Sequence, residues 1–159
     1  MNMKAFQDYY ADDFAHCYGC GRLNEHGLHI KSYWDGEESV CTFQPEPFHT
    51  GGFPNNVYGG TIASLIDCHG AGTAMAATRR HQGKALDAQP PIRFVTASLH
   101  VDYLIPTPID ATLTLRGKAK EIKGRKVIVT VTLSAKGKIC ATGEVVMVQV
   151  PEHFPVKNE

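Results

Sequence analysis

The chain has 159 residues, and its 16 Lys plus Arg balance 16 Asp plus Glu, so the formal net charge is zero. That balance argues against a nucleic-acid binder, which carries a basic surplus, and the length is that of one domain around one core. The hydrophobic fraction of 43% is ordinary for a globular chain, and no apolar run approaches the ~18 residues of a membrane span.

The opening "MKAFQDYYADDFA" predicts a short helical extension. It lacks the apolar segment of a secretory leader, so the expected location is the cytoplasm. Five cysteines, an odd count, argue against a closed disulfide framework. "GCGRLNEHG" reads as irregular turns. "LHIKSYW" and "SVCTFQP" flank Asp35-Gly36 and predict a hairpin. "EPFHTGGFPNNVYGG", rich in Gly, Pro and Asn, is a long loop. From about Thr61 to Arg80 there is no Pro and much Ala, Leu, Ile and Met, which predicts a helix of about five turns. It is apolar nearly all round, so other structure must wrap it. "HQGKALDAQPP" ends it. Four β-patterned segments follow, "IRFVTASLHVDYL", "DATLTLRGKAKEI", "KVIVTVTLSA" and "KICATGEVVMVQV". Pro106-Thr107-Pro108, Lys123-Gly124-Arg125 and Lys136-Gly137 separate them. Two strands, one central helix, then three or four strands predict an α+β fold in which an antiparallel sheet curls round the helix. The expected layout is a single domain: an extension over residues 1–26, a core over 27–150 and a tail over 151–159.

Four blocks in this order carry a family likeness: "CYGCGRLNEHGLHI", "VYGGTIASLID", "VTASLHVDYLIPTPI" and "KGRKVIVTVTLSAKGKICATGEVVMV". Together they resemble the hotdog-fold acyl-CoA thioesterases, most closely the PaaI-type group, over about Cys17 to Val150. The resemblance implies a hotdog fold and hydrolysis of an acyl-CoA, with coenzyme A present as part of the substrate and no redox cofactor or metal needed. It implies a catalytic aspartate, here Asp67, an oxyanion hole of backbone N–H groups at Gly59 and Gly60, and an assisting hydroxyl, here Thr96. It also implies a homodimer, or a dimer of dimers, with sites at the interface. One position departs: the family has His before the two glycines, and this chain has Tyr58, which hydrogen-bonds but does not titrate near neutral pH.

The residues also read on their own chemistry. Free N–H groups at a helix start carry positive partial charge, and glycine lets a carbonyl approach them closely; equally, Gly59-Gly60 permits tight loop packing. Asp67 stands among Leu65, Ile66 and Cys68, where burial raises a carboxylate pKa unless a donor such as Thr96 stabilises the charge. It serves as a base for water or as a nucleophile; the structural alternative is an aspartate paired with a neighbour. Asp67 lies ~12 Å along the helix from Gly59, too far for both to touch one carbonyl. If both act on one substrate, they come from two chains. Asn55 and Asn56 offer amide donors to the substrate, or turn chemistry after Pro54.

Cys17 and Cys20 have the spacing of half a zinc site, and His16, His26 and His29 nearby complete a possible ligand set. Cys68 reads as helix packing, and a Cys68–His69 nucleophile is disfavoured because adjacent helix positions diverge by ~100°. Two basic groups are candidates for phosphate: Arg79, Arg80 and Lys84 after the helix, and Lys118, Lys120, Lys123, Arg125 and Lys126 around a hairpin turn. Two further function classes stand beside the thioesterase: a non-catalytic acyl-CoA or acyl-carrier binding protein, which Tyr58 favours, and a zinc-stabilised interaction protein.

Overall fold

The computed structural model describes residues 3–154, so the last five residues of the 151–159 tail lie outside the described residues. The helical extension takes the form of two short 3-10 turns, Phe6–Tyr9 and Asp12–Phe14, separated by the extended backbone of Tyr10 and Ala11. Their aromatics drive the docking: Phe6 packs edge-on against Trp34, and Tyr10 against Phe14. Arg93 reaches Asp13 with both carboxylate oxygens at 2.8 Å, tying the second turn to the sheet.

The hairpin of β1 (Ser32–Asp35) and β2 (Glu38–Phe43) turns at Gly36, whose φ of +64° suits a residue without Cβ. The central helix α1 spans Gly59–His81, slightly longer at each end than the apolar run predicts. Then come β3 (Phe94–Tyr103), β4 (Leu113–Lys123), β5 (Lys126–Ala135) and β6 (Lys138–Gln149). All pairings are antiparallel, in the order β1-β2-β4-β5-β6-β3. The six-stranded sheet curls round α1, as a hotdog fold requires. Leu65, Ile66, Leu113, Leu115, Val129, Leu133 and Val145 are fully buried between the two layers. No helix among the described residues is long and apolar enough to cross a membrane.

One polar network lies inside this apolar seam. His69 is fully buried, with Ser32 Oγ 2.9 Å from Nδ1 and Ser39 Oγ 3.0 Å from Nε2. Gln7 Nε2 donates to Ser32 Oγ, Ser39 Oγ lies 2.6 Å from Thr73 Oγ1, and Thr73 Oγ1 donates back to the His69 carbonyl. Each ring nitrogen faces a serine hydroxyl that can donate or accept, so a single ring proton, on either nitrogen, satisfies the network without a charge.

His69 is accordingly held neutral, its pKa pushed down to about 4, chiefly by burial against a weaker opposing contribution from the Ser39 backbone. The unfolded chain takes up a proton near pH ~6.5 and the folded chain does not until about pH 4, so stability is full above that window and falls as pH drops through it. Between about pH 7.5 and about pH 5 the expected loss from His69 is about 2 kcal/mol. Urea unfolding at the two pH values reads it, and an unchanged stability would contradict a neutral His69.

Candidate active site

Asp67 lies midway along α1, on the side turned toward β3. It is half-buried, and its Oδ1 accepts a 2.7 Å hydrogen bond from Thr96 Oγ1. Thr96 stands on the edge strand, where the β3–β6 register shifts between Thr96 and Ser98. Such a bulge re-aims a side chain. The Asp67 pKa is raised: burial is the largest cause, the Thr96 hydroxyl opposes it, and negative charge at Cys17 adds to it.

Asp67 and Thr96 line a cavity of about 350 Å³ walled by Tyr10, Phe14, Phe94 and Met147. The N-terminal segment supplies two of those walls, Tyr10 and Phe14, a role the sequence left unplaced. On the remaining side lie three thiols. Cys17 Sγ is 3.6 Å from Cys68 Sγ, and the Cys17, Cys20 and Cys68 sulfurs all lie within 4.8 Å of one another. Cys17 takes the lowest pKa of the three, because the Cys20 and Cys68 thiols and the backbone N–H groups of Cys20 and Gly19 stabilise its thiolate. Cys20 and Cys68 are pushed up in turn, first by their bonds to Cys17.

This grouping differs from the ligand set weighed in the sequence. His26 and His29 are exposed and turned elsewhere: His29 bonds the Asn24 carbonyl, and His26 faces a separate surface hollow with Glu46 and His49. Cys68, read as packing, is the residue that meets the C-x₂-C pair. The legible signal was its place beside Asp67, one step round the helix. His69 is bonded on both ring nitrogens by serines and does not engage Cys68.

Away from this cavity, α1 starts at Gly59 and Gly60 with no side chain capping it. The first N–H groups of a helix have no intrahelical partner. Tyr58 precedes them, its backbone N–H on the His49 carbonyl and its own carbonyl accepting from Thr61 and Ile62. Its ring lies so close over Gly60 that a Cβ there would sit 2.3 Å from it, so a larger residue at this position would displace the exposed Tyr58 ring. Tyr103 on β3 donates its hydroxyl to the Gly59 carbonyl at 2.7 Å. Asn55 and Asn56 spend their backbones on the loop, Asn55 O accepting from Ile109 and Asn56 O from Gly51; their side chains make no hydrogen bond among the described residues.

The basic candidates divide. Arg79 is buried and donates to the Ala88 and Pro90 carbonyls, and Arg80 stacks on Trp34 and donates to the Gly36 carbonyl. Both hold the loop and hairpin, Arg79 from a buried position and Arg80 from an exposed one. Arg125 and Lys126 sit at the β4–β5 turn, Arg125 donating to Gln149 O and Lys126 pairing with Glu121 at 3.8 Å. Register places Val127 beside Met147 and Met147 beside Thr96, so this turn is at the Asp67 end of the sheet.

Comparison with known proteins identifies the family and the fold. A thioesterase superfamily protein from Shewanella loihica PV-4 is 46% identical, with a TM-score of 0.67 over 89% of this chain and 100% of that one. The E. coli PaaI protein shares the fold at 17% identity, with a TM-score of 0.62 over 78% of this chain and 81% of that one. Acyl-coenzyme A thioesterase THEM4 of Rattus norvegicus is 30% identical over 96 residues, 60% of this chain and 35% of the relative. THEM4 of Xenopus laevis is 35% identical over 88 residues, 55% of this chain and 33% of the relative. The chain thus spans about a third of the length of the curated relatives it matches. The thioesterase superfamily profile matches residues 54–141, a span that runs from the glycine start of α1 through Asp67 and Thr96 and covers more than half the sequence. The chain belongs to the thioesterase superfamily.

Proposed function

We propose that the protein hydrolyses an acyl-CoA to the free acid and coenzyme A. The observation that carries this reading is the Thr96–Asp67 hydrogen bond at an apolar cavity large enough for an acyl group. Burial keeps Asp67 a better base than a solvated aspartate, and Thr96 orients it. The carboxylate takes a proton from a water that attacks the carbonyl carbon, or attacks that carbon itself and is freed by water from the anhydride. In either route the C–S bond breaks and the coenzyme A sulfur leaves with the bonding pair, then takes a proton. The Gly59 and Gly60 amides receive the negative charge on the carbonyl oxygen, and Arg125 and Lys126 attract the coenzyme A phosphates.

The donors and the carboxylate come from different chains in this reading. Strand β3 is an unpaired edge whose residues are exposed along almost its whole length, including Val95 at 45% and Leu99 at 39%. Natural sheets cover such edges. Antiparallel self-pairing of β3 about a two-fold axis at Leu99 or His100 sets the Thr96 end of one chain beside the Tyr103 end of the other. Tyr103 holds Gly59, and Thr96 holds Asp67, so that pairing brings one chain's carboxylate to the other's glycine start. A homodimer is the smallest active unit, and a dimer of dimers keeps the same sites.

Thr96→Ala should cost less than loss of Asp67 itself. One hydrogen bond to a charged group is worth about 1.5–3 kcal/mol, so a fall in kcat of at least about tenfold is expected, read by thiol release. An unchanged kcat would remove Thr96 from the mechanism.

A second reading rests on Tyr58, whose ring lies over Gly60 where the family has His. On it the protein binds an acyl-CoA or acyl carrier without cleaving it. Thiol release measured over acyl-CoAs of several chain lengths separates the two. Release with any of them supports the hydrolase; binding with no release above background supports the second reading.

A further inference from the structure

The three thiols beside Asp67 are arranged as more than packing. Cys20 and Cys68 are buried, at 4% and 6% exposure, while Cys17 is open to solvent. Three sulfurs held within 4.8 Å of one another converge on a single point. The Cys17–Cys68 distance of 3.6 Å is close to the edge of a tetrahedron with metal–sulfur bonds of ~2.3 Å, about 3.8 Å. The Cys17–Cys20 loop is wrapped round the third sulfur: a Cβ on Gly19 would lie 2.2 Å from Cys68 Sγ, so glycine is required for the loop to close over it. The loop is pinned on both sides. Gly21 N–H donates to the Cys17 carbonyl at 2.7 Å, and Leu28 N–H to the Tyr18 carbonyl at 2.7 Å.

A disulfide would account for only two of these sulfurs and leave the third buried against it. A cation of thiophilic character uses all three, and its remaining position faces the cavity. Structural zinc sites use a C-x₂-C loop as one half, and here a helix residue 48 positions after Cys20 supplies the rest.

We propose that Cys17, Cys20 and Cys68 form a three-thiolate site for a thiophilic d¹⁰ cation of the Zn²⁺ class. It clamps the N-terminal segment onto α1, with its fourth position open to the cavity that holds Asp67. The thiols release their protons to solvent on ligation, and the bound cation stabilises the fold by mass action. None of its ligands is in the set assigned to the reaction, and cation binding is read without reference to hydrolysis.

The test uses the full chain, purified without chelator under a phosphine reductant and loaded with Co²⁺ alone. The expected result is about one Co²⁺ per chain, with an intense thiolate-to-cobalt charge-transfer band and the visible bands of tetrahedral cobalt, displaced by added Zn²⁺. Cys17→Ser, at an exposed position that leaves the fold intact by circular dichroism, should abolish the charge-transfer band. Cys68→Ser should do the same. The band should persist in Cys140→Ala and in the His26→Ala and His29→Ala variants. Three results would each overturn the site: absence of the band in the reduced wild type, its survival in Cys17→Ser, or a Cys17–Cys68 disulfide that persists under the phosphine reductant, found by mass spectrometry.

Discussion

Asp67→Asn is expected to lower acyl-CoA hydrolysis by about 10³-fold while leaving the fold and acyl-CoA binding intact. Asparagine has nearly the same shape and keeps an oxygen to accept from Thr96 Oγ1. What it loses is the ability to take a proton or to attack a carbonyl. The sign of the stability effect separates a functional aspartate from a structural one. Burial raises the Asp67 pKa even against the Thr96 bond, so the charge is disfavoured where it stands. Removing it should leave the melting temperature unchanged or slightly raised. A structural aspartate would show the reverse, with stability lost and no specific defect in turnover. Thiol release and a thermal melt on the same preparation distinguish the two.

Gly59→Pro should cost about 10² in kcat, the scale of losing one oxyanion donor. Proline suits the first position of a helix because the N–H it lacks has no intrahelical acceptor there. The preceding residue must be extended, and Tyr58 already is, with φ −57° and ψ 132°. A Cβ at Gly59 would meet the Tyr103 ring at 3.4 Å, an ordinary contact. The substitution therefore deletes a donor with little disturbance of the helix, and steady-state kinetics should show kcat falling with KM little changed. Wild-type kcat would remove the Gly59 amide from the mechanism.

Much of this was legible in the sequence, for definite reasons. The Pro-free apolar run became α1, and the Asp35-Gly36, Lys123-Gly124 and Lys136-Gly137 turns became the three tight hairpins because each needs a positive φ that glycine or a turn residue supplies. The partnership of Thr96 with Asp67 was an expectation of the family resemblance, and the two side chains are hydrogen-bonded. Less was legible where a side chain's role depends on distant partners. In the sequence His69 was weighed only as a disfavoured partner of Cys68. Its serines, Ser32 and Ser39, come from a hairpin 30 or more positions away. Arg79 and Arg80 read as a basic pair after the helix, yet the Ala88–Pro90 loop and Trp34 take up both guanidinium groups. Cys68 faced the C-x₂-C loop only once the chain had folded back on α1. The N-terminal segment read as a short helix, and two 3-10 turns stand there instead.

The central claim is that one site draws Asp67 from one chain and the glycine amides from another. Co-expression of Asp67→Asn with Gly59→Pro tests it directly. Each variant alone is disabled. If the parts come from different chains, random pairing leaves about a quarter of all sites with both an intact carboxylate and an intact donor. The expected result is therefore about a quarter of wild-type thiol release per chain, far above either variant by itself. If both parts come from the same chain, no site in the mixture is intact. Activity no greater than the average of the two variants would contradict the shared site.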